Sequence, residues 1–291
     1  MGYLLVIMSF VLAAAACPIS SAAAEPLPEG KARFDFTAWE GPRLDVWTFK
    51  PRKAQAPLPV VFVMHGLQRN GSDYRDDWVG LAAEHGFLLV VPEFSEAAFP
   101  KAWGYNLGNV ITSEGRAVPR ARWAFTAIER IFDHLLQHET GIETRYRLYG
   151  HSAGAQFAHR FLYFVPDARV VRVVTANAGW YTMPDAAIAY PYGLAGSGVD
   201  EAALTKALAR PLTVLLGEAD IDPQHRVLRR TPEAMQQGPH RLSRGKAFFE
   251  AARSAAAQRR VPFAWTLETV PGVAHDNARM APAAVRNLLQ K

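Results

Sequence analysis

Several short stretches of this chain are apolar at consecutive positions rather than at alternate ones. "PVVFVMHG" from Pro59 is the clearest, and "FLLVVPEF", "YRLYG", "VVRVVTANAG", "LTVLLGE" and "FAWTLETVPG" follow. A strand apolar on both faces must be covered on both, as in a parallel sheet between helical layers. Segments of helical spacing lie between the runs. "SDYRDDWVGLAAEHG" opens on Ser/Asp capping residues and closes on glycine. "PRARWAFTAIERIFDHLLQHETG" has Pro119 near its start and Gly141 after its end. "AQFAHRFLYF", "SRGKAFFEAARSAAAQRR" and "APAAVRNLLQ" complete the set. Strand and helix alternate at the intervals of right-handed crossovers. Before them, "RFDFTAWEG" and "RLDVWTFKP" alternate and predict an antiparallel opening hairpin. The expected architecture is one α/β domain over residues 33–291, with a mostly parallel central sheet flanked by helices.

The N-terminus differs in kind. "YLLVIMSFVLAAAAC" is uncharged, too short for a membrane span, and followed by small residues up to Ala24. Residues 1–24 read as an export signal and 25–32 as a short extension, placing the protein outside the cytoplasm, secreted or periplasmic. Cys17 is the single cysteine. Ala14-Ala15-Ala16 before it make a poor lipoprotein box, so anchoring through Cys17 is the lesser reading. Cleavage after Ala24 leaves no cysteine, hence neither disulfide nor thiolate metal site nor thiol nucleophile. The mature chain carries no expected membrane span. A formal net charge of +5, with arginines scattered among acids, does not point to nucleic acid.

The chemistry is concentrated at "GHSAG". Ser152 stands between a predicted strand and a predicted helix, in a G-x-S-x-G turn that presents the hydroxyl above a sheet edge. The helix N-terminus adds positive potential, and the Ala153 amide faces where an oxyanion would form. A hydroxyl needs a base, and on a strand–turn–helix scaffold of this kind the acid and the histidine follow the serine in chain order. "ADID" after "LTVLLGE" offers Asp220 and Asp222, and "VPGVAHDN" after the last strand offers His275. Asp220 is preferred as nearer its strand end, and Asp222 before Pro223 suits a turn. The Leu67 amide, after "VMHG", is the second oxyanion donor, with Gly66 allowing close approach.

These pieces, "HGLQRNG", "GHSAGA", "GEAD" and "PGVAHD", resemble in order the α/β-hydrolases, and most the secreted esterase and polyhydroxyalkanoate-depolymerase-like branch. The resemblance spans nearly the whole mature chain. It implies an α/β-hydrolase fold, acyl transfer through a serine ester, water as acceptor and no cofactor. The loop after the third strand lacks the longer HGGG form of many lipases, and the disulfides of some secreted relatives are missing. The implied activity is serine-dependent hydrolysis of short-chain acyl, acyl-carbohydrate or polyester substrates. A serine peptidase on the same scaffold and a non-catalytic binding protein are the alternatives.

Two connections are longer than crossovers need, 178–210 and 219–245, though neither suffices for a cap domain. The first begins with Trp180 and Tyr181, expected to line a substrate pocket. "WGYNLGN" from Trp103 places further aromatics at the same edge. The second carries Arg226, Arg229, Arg230, Arg241 and Arg244, which read as solvated with substrate attraction as the alternative. His134 and His138 have metal-ligand spacing without the intervening glutamate, so a solvated helix face and no metal are expected.

Overall fold

The computed structural model describes residues 26–52 and 56–290. The predicted signal segment and Cys17 therefore lie outside the described residues. Eight strands form a single sheet: β1 (Gly30–Phe36), β2 (Leu44–Lys50), β3 (Leu58–Met64), β4 (Leu88–Glu93), β5 (Ile142–His151), β6 (Val170–Ala176), β7 (Leu212–Gly217) and β8 (Trp265–Val270), in the order β1-β2-β4-β3-β5-β6-β7-β8. The expected hairpin is present, with Gly30 opposite Lys50 and Phe36 opposite Leu44. β2 pairs antiparallel with β4, and every later pairing is parallel.

The consecutive apolar residues divide between two cores. Val60, Phe62 and Met64 of β3 point to a layer containing Phe132, Phe157 and Phe248, while Val61 and Val63 point to one containing Trp78 and Met280. The first layer draws on α3 (Ala124–His138), α4 (Ala153–Phe164), α5 (Glu201–Ala209) and α7 (Arg241–Arg259). The second draws on α1 (Gly71–His85) and α8 (Asn277–Leu288). Burying either set on one face alone would leave the other in water, so both helical layers are required.

Local signals set some boundaries and miss others. Gly86 closes α1 in the left-handed conformation as expected, at φ +69°. Its start is earlier than Ser72 and Asp73 suggest: Asn70 holds the N-cap position without a side-chain cap bond. Pro119 precedes a short 3₁₀ turn, Arg120–Arg122, and α3 begins only at Ala124. α8 starts at Asn277, because the Asp276 carboxylate accepts from the Arg279 amide at 3.0 Å. Three short helices were not foreseen: α2 (Lys101–Gly104), α5 and α6 (Pro232–Gln236). α5 and α6 break up the two long connections, and both have side-chain N-caps, from Asp200 and Thr231. The His134–His138 face is only partly solvated: both rings are half-buried, and His134 stacks on Phe34 of β1 at 5.2 Å. No cluster of metal-ligating side chains occurs among the described residues, nor does any helix there have the length and apolarity to cross a membrane.

Candidate active site

Ser152 is the hinge between β5 and α4, at φ +58° and ψ −113°. A non-glycine residue persists in so unfavourable a conformation only when its surroundings over-determine it. Here they do. The Ser152 amide donates to the Ala176 carbonyl at 2.9 Å. A Cβ on Gly150 would lie 2.0 Å from the Gly154 carbonyl oxygen, and one on Gly154 would lie 2.0 Å from that of Met64. Only glycine at both positions lets α4 start this close to β5 and β3. The Ser152 side chain makes no cap bond to its own helix, which leaves its hydroxyl free.

That hydroxyl lies 3.0 Å from Nε2 of His275, whose Nδ1 lies 2.7 Å from Oδ2 of Asp220. With the carboxylate on Nδ1, that nitrogen carries the proton and Nε2 is the acceptor. Asp222 is elsewhere: it is exposed and its carboxylate accepts from the Gln224 amide, closing a local turn. Burial would push the Asp220 carboxyl up, but the His275 hydrogen bond and the Arg241 charge and hydrogen bond hold it below the usual range.

One residue outside the sequence motifs ties these strands together. Asn177, at φ +52°, accepts from the Gly217 amide at 2.7 Å and donates to the Ala274 carbonyl at 3.1 Å. It thus fastens the end of β7 and the His275 loop to the end of β6. Asparagine tolerates the left-handed region and bonds backbone locally, which was the only available signal in "TANAG".

The other wall is the loop after β3. Its His65 is fully buried, and burial brings the imidazole down to about 3, so the ring stays neutral. The Phe94 amide donates to Nε2, which leaves the protonated Nδ1 to donate to the Gly66 carbonyl. Tyr105, from the "WGYNLGN" segment, donates to the His65 carbonyl at 2.7 Å from beneath the loop. Arg69 donates to the Phe94 and Lys101 carbonyls and stacks on Tyr105 at 4.4 Å. Leu67 projects from this braced loop, 51% exposed, and its amide has no partner among the described residues. The Ala153 amide, first in α4, has no intrahelical acceptor either. Leu67 and Ala153 both border the space in front of Ser152.

Two cavities meet at the serine. The larger, about 530 Å³, is lined by Gln68, Asn70, His225, Arg226 and Asn277. The smaller, about 150 Å³, is lined by Asn106, Gln156, Trp180 and Arg229. Leu67 and Val227, like Ser152, border both. Trp180 thus lies where the sequence places it. Tyr181 does not: it is buried and stacks on Phe248 at 4.3 Å, away from either cavity.

Three of the five arginines of the basic connection are not solvated. Arg229 and the buried Arg160 lie on the Trp180 ring, 4.7 Å and 4.2 Å from its centre. Arg244 is buried and donates to the carbonyls of Gly179, Arg229 and Gly238. Arg241 is buried against Asp220. Only Arg226 and Arg230 are exposed.

With the fold and this geometry in place, the solved structures add the relationship. The poly(aspartic acid) hydrolase-1 of Sphingomonas sp. KT-1 is 45% identical, over 91% of this chain and 100% of its own, with a TM-score of 0.88. The chain belongs to the α/β-hydrolases. Within them it lies in the esterase and depolymerase branch. The poly(3-hydroxybutyrate) depolymerase LpqC of Bordetella parapertussis is 35% identical, over 89% of this α/β-hydrolase and 88% of its own length, at a TM-score of 0.82. An S-formylglutathione hydrolase from Agrobacterium tumefaciens, 16% identical at a TM-score of 0.57, shares the fold. No protein-family model and no curated protein matches the sequence. This α/β-hydrolase is thus a hydrolytic enzyme with polymer-degrading relatives.

Proposed function

We propose that the protein is a serine hydrolase that cleaves carboxylic-ester bonds, including those of polyesters, through an acyl-enzyme. The Ser152–His275–Asp220 chain of hydrogen bonds, built on a strained serine, carries this reading. In it, Ser152 Oγ attacks the acyl carbon as Nε2 of His275 takes its proton. The Leu67 and Ala153 amides hold the oxyanion. Collapse breaks the bond to the alcohol, which leaves with the proton from His275. Water then attacks the acyl carbon as Nε2 of His275 takes its proton, and collapse breaks the bond to Ser152 Oγ, which recovers the proton from His275 as the acid is released. Asp220 holds the His275 tautomer throughout.

A second substrate reading is favoured by one observation. Arg229 reaches the smaller cavity, and its side chain bonds Tyr192 rather than any carboxylate among the described residues. A guanidinium so placed suits an acyl chain that carries its own carboxylates, whether linked by esters or by amides. The name of the Sphingomonas relative points the same way. The apolar leader supports export of the enzyme to meet a polymer outside the cytoplasm.

The test is turnover of p-nitrophenyl esters, poly(3-hydroxybutyrate) and poly(aspartic acid) by the purified mature chain and by Ser152→Ala. Activity on an ester substrate that falls by about 10⁴-fold or more in the variant, with its thermal melt unchanged, is expected. Turnover on poly(aspartic acid) alone transfers the assignment to the second reading. Unchanged turnover in Ser152→Ala rules out the mechanism.

A further inference from the structure

The triad acid has a second partner. While Oδ2 of Asp220 faces His275, its Oδ1 accepts from Nη1 of Arg241 at 3.1 Å. Both residues are sequestered, Asp220 at 3% exposure and Arg241 at 1%. Arg241 is the first residue of α7, which the Leu242 amide further ties to the Asp220 carbonyl at 3.3 Å. Its Nη2 lies 3.2 Å from Nδ1 of His225, whose ring meets the His275 ring edge-on with centres 5.5 Å apart. Arg241 therefore touches the acid directly and the base through one intermediate ring.

An ordinary acid–base pair of this type gains a full opposite charge when the histidine takes the serine proton. Here the Asp220 charge is already matched by a buried guanidinium. The remaining groups facing His275 do not replace the lost attraction. His151, from the end of β5, packs against it at a tilt, with ring centres 4.6 Å apart. Burial first, and then the neighbouring Arg241 charge, lower both that ring, to well below the usual histidine range, and His225. Tyr181, beside Asp220 from the β6 side, is pushed above its usual range by burial. Arg244, next along α7, adds a second buried cation. Asp276 is the adjacent acid, and its carboxylate is committed to capping α8. Arg226 lines the larger cavity from the solvent side.

We propose that Arg241 is a positioning residue whose charge, acting through Asp220, disfavours a doubly protonated His275 and so keeps the base available at lower pH. The inference rests on the serine mechanism above. Loss of the arginine charge leaves Asp220 free to stabilise the imidazolium fully, and the base is then captured by a proton at higher pH.

The experiment measures the rate of labelling of Ser152 by a fluorophosphonate probe across the acid and neutral range, in the parent, Arg241→Gln and Arg241→Lys. Glutamine keeps a donor for Asp220 without charge, and lysine keeps the charge. The acid limb of the rate profile is expected to move up by roughly one pH unit in Arg241→Gln, the scale of one unit charge at several ångströms. In Arg241→Lys it is expected to stay with the parent. A folded Arg241→Gln that labels more slowly with its limb unmoved overturns the proposal and leaves a structural role. If Arg241→Gln is recovered unfolded, Arg241→Lys decides: an unmoved limb supports the charge and a raised limb overturns it. Parent protein that is not labelled at all overturns the serine mechanism itself, and the Arg241 inference with it.

Discussion

The two walls of the site are built by different physics. On one side, Ser152, Leu67 and Ala153 are placed chiefly by backbone packing and hydrogen bonds to backbone: glycines without room for a Cβ, a buried neutral His65, Tyr105 under the loop, and a single buried cation, Arg69, that holds the Phe94 and Lys101 carbonyls. On the other side, Asp220 and His275 stand on loops held by buried charge and by side-chain amides, chiefly Arg241, Arg244 and Asn177. The nucleophile and the oxyanion donors must be correct to a fraction of an ångström, which close-packed backbone provides. The base must change its charge during each cycle, and its surroundings tune how readily it does so.

The contrast can be broken at the backbone wall first. Gly154→Ala forces a Cβ onto the Met64 carbonyl, and overpacking of this kind costs about 3 kcal/mol or more because backbone cannot step aside. Chemical denaturation should show that loss as a lower midpoint. A variant as stable as the parent would mean that the elbow has slack.

A smaller effect is expected at the looser wall. Asn177→Ala removes two hydrogen bonds that pin the β7 end and the His275 loop, worth about 1–3 kcal/mol together. Because the loop carries the base, kcat should fall roughly tenfold with KM nearly unchanged, the signature of a lost transition-state geometry. A rise in KM alone would place Asn177 with substrate binding instead.

The smallest effect sharpens the choice between neighbouring acids. Asp222→Asn alters only an exposed turn, so its kcat/KM should stay within about twofold of the parent. A loss comparable to that of Ser152→Ala would transfer the acid role from Asp220 to Asp222.

The chain by itself determined a parallel sheet covered on both faces, because consecutive apolar residues in short runs have no other solution in water. It also marked Ser152, and the order of Asp220 and His275 after it, since tight turns and strand ends leave local signatures. Helix starts were less legible at α1 and α3, where caps and tertiary packing compete within a few residues. Three things were decided only in the tertiary structure. Tyr181 entered the core while Trp180 met the cavity, a question settled by the course of the irregular loop after β6. His134 was partly covered by Phe34 and Phe36 of β1, more than 90 residues before it in the chain. The arginines of 219–245 divided between solvent, the Trp180 face and the triad acid. A guanidinium looks the same in sequence whether it meets water or a buried carboxylate. Long-range packing, which no local pattern encodes, brings Arg241 to Asp220 and decides which it meets.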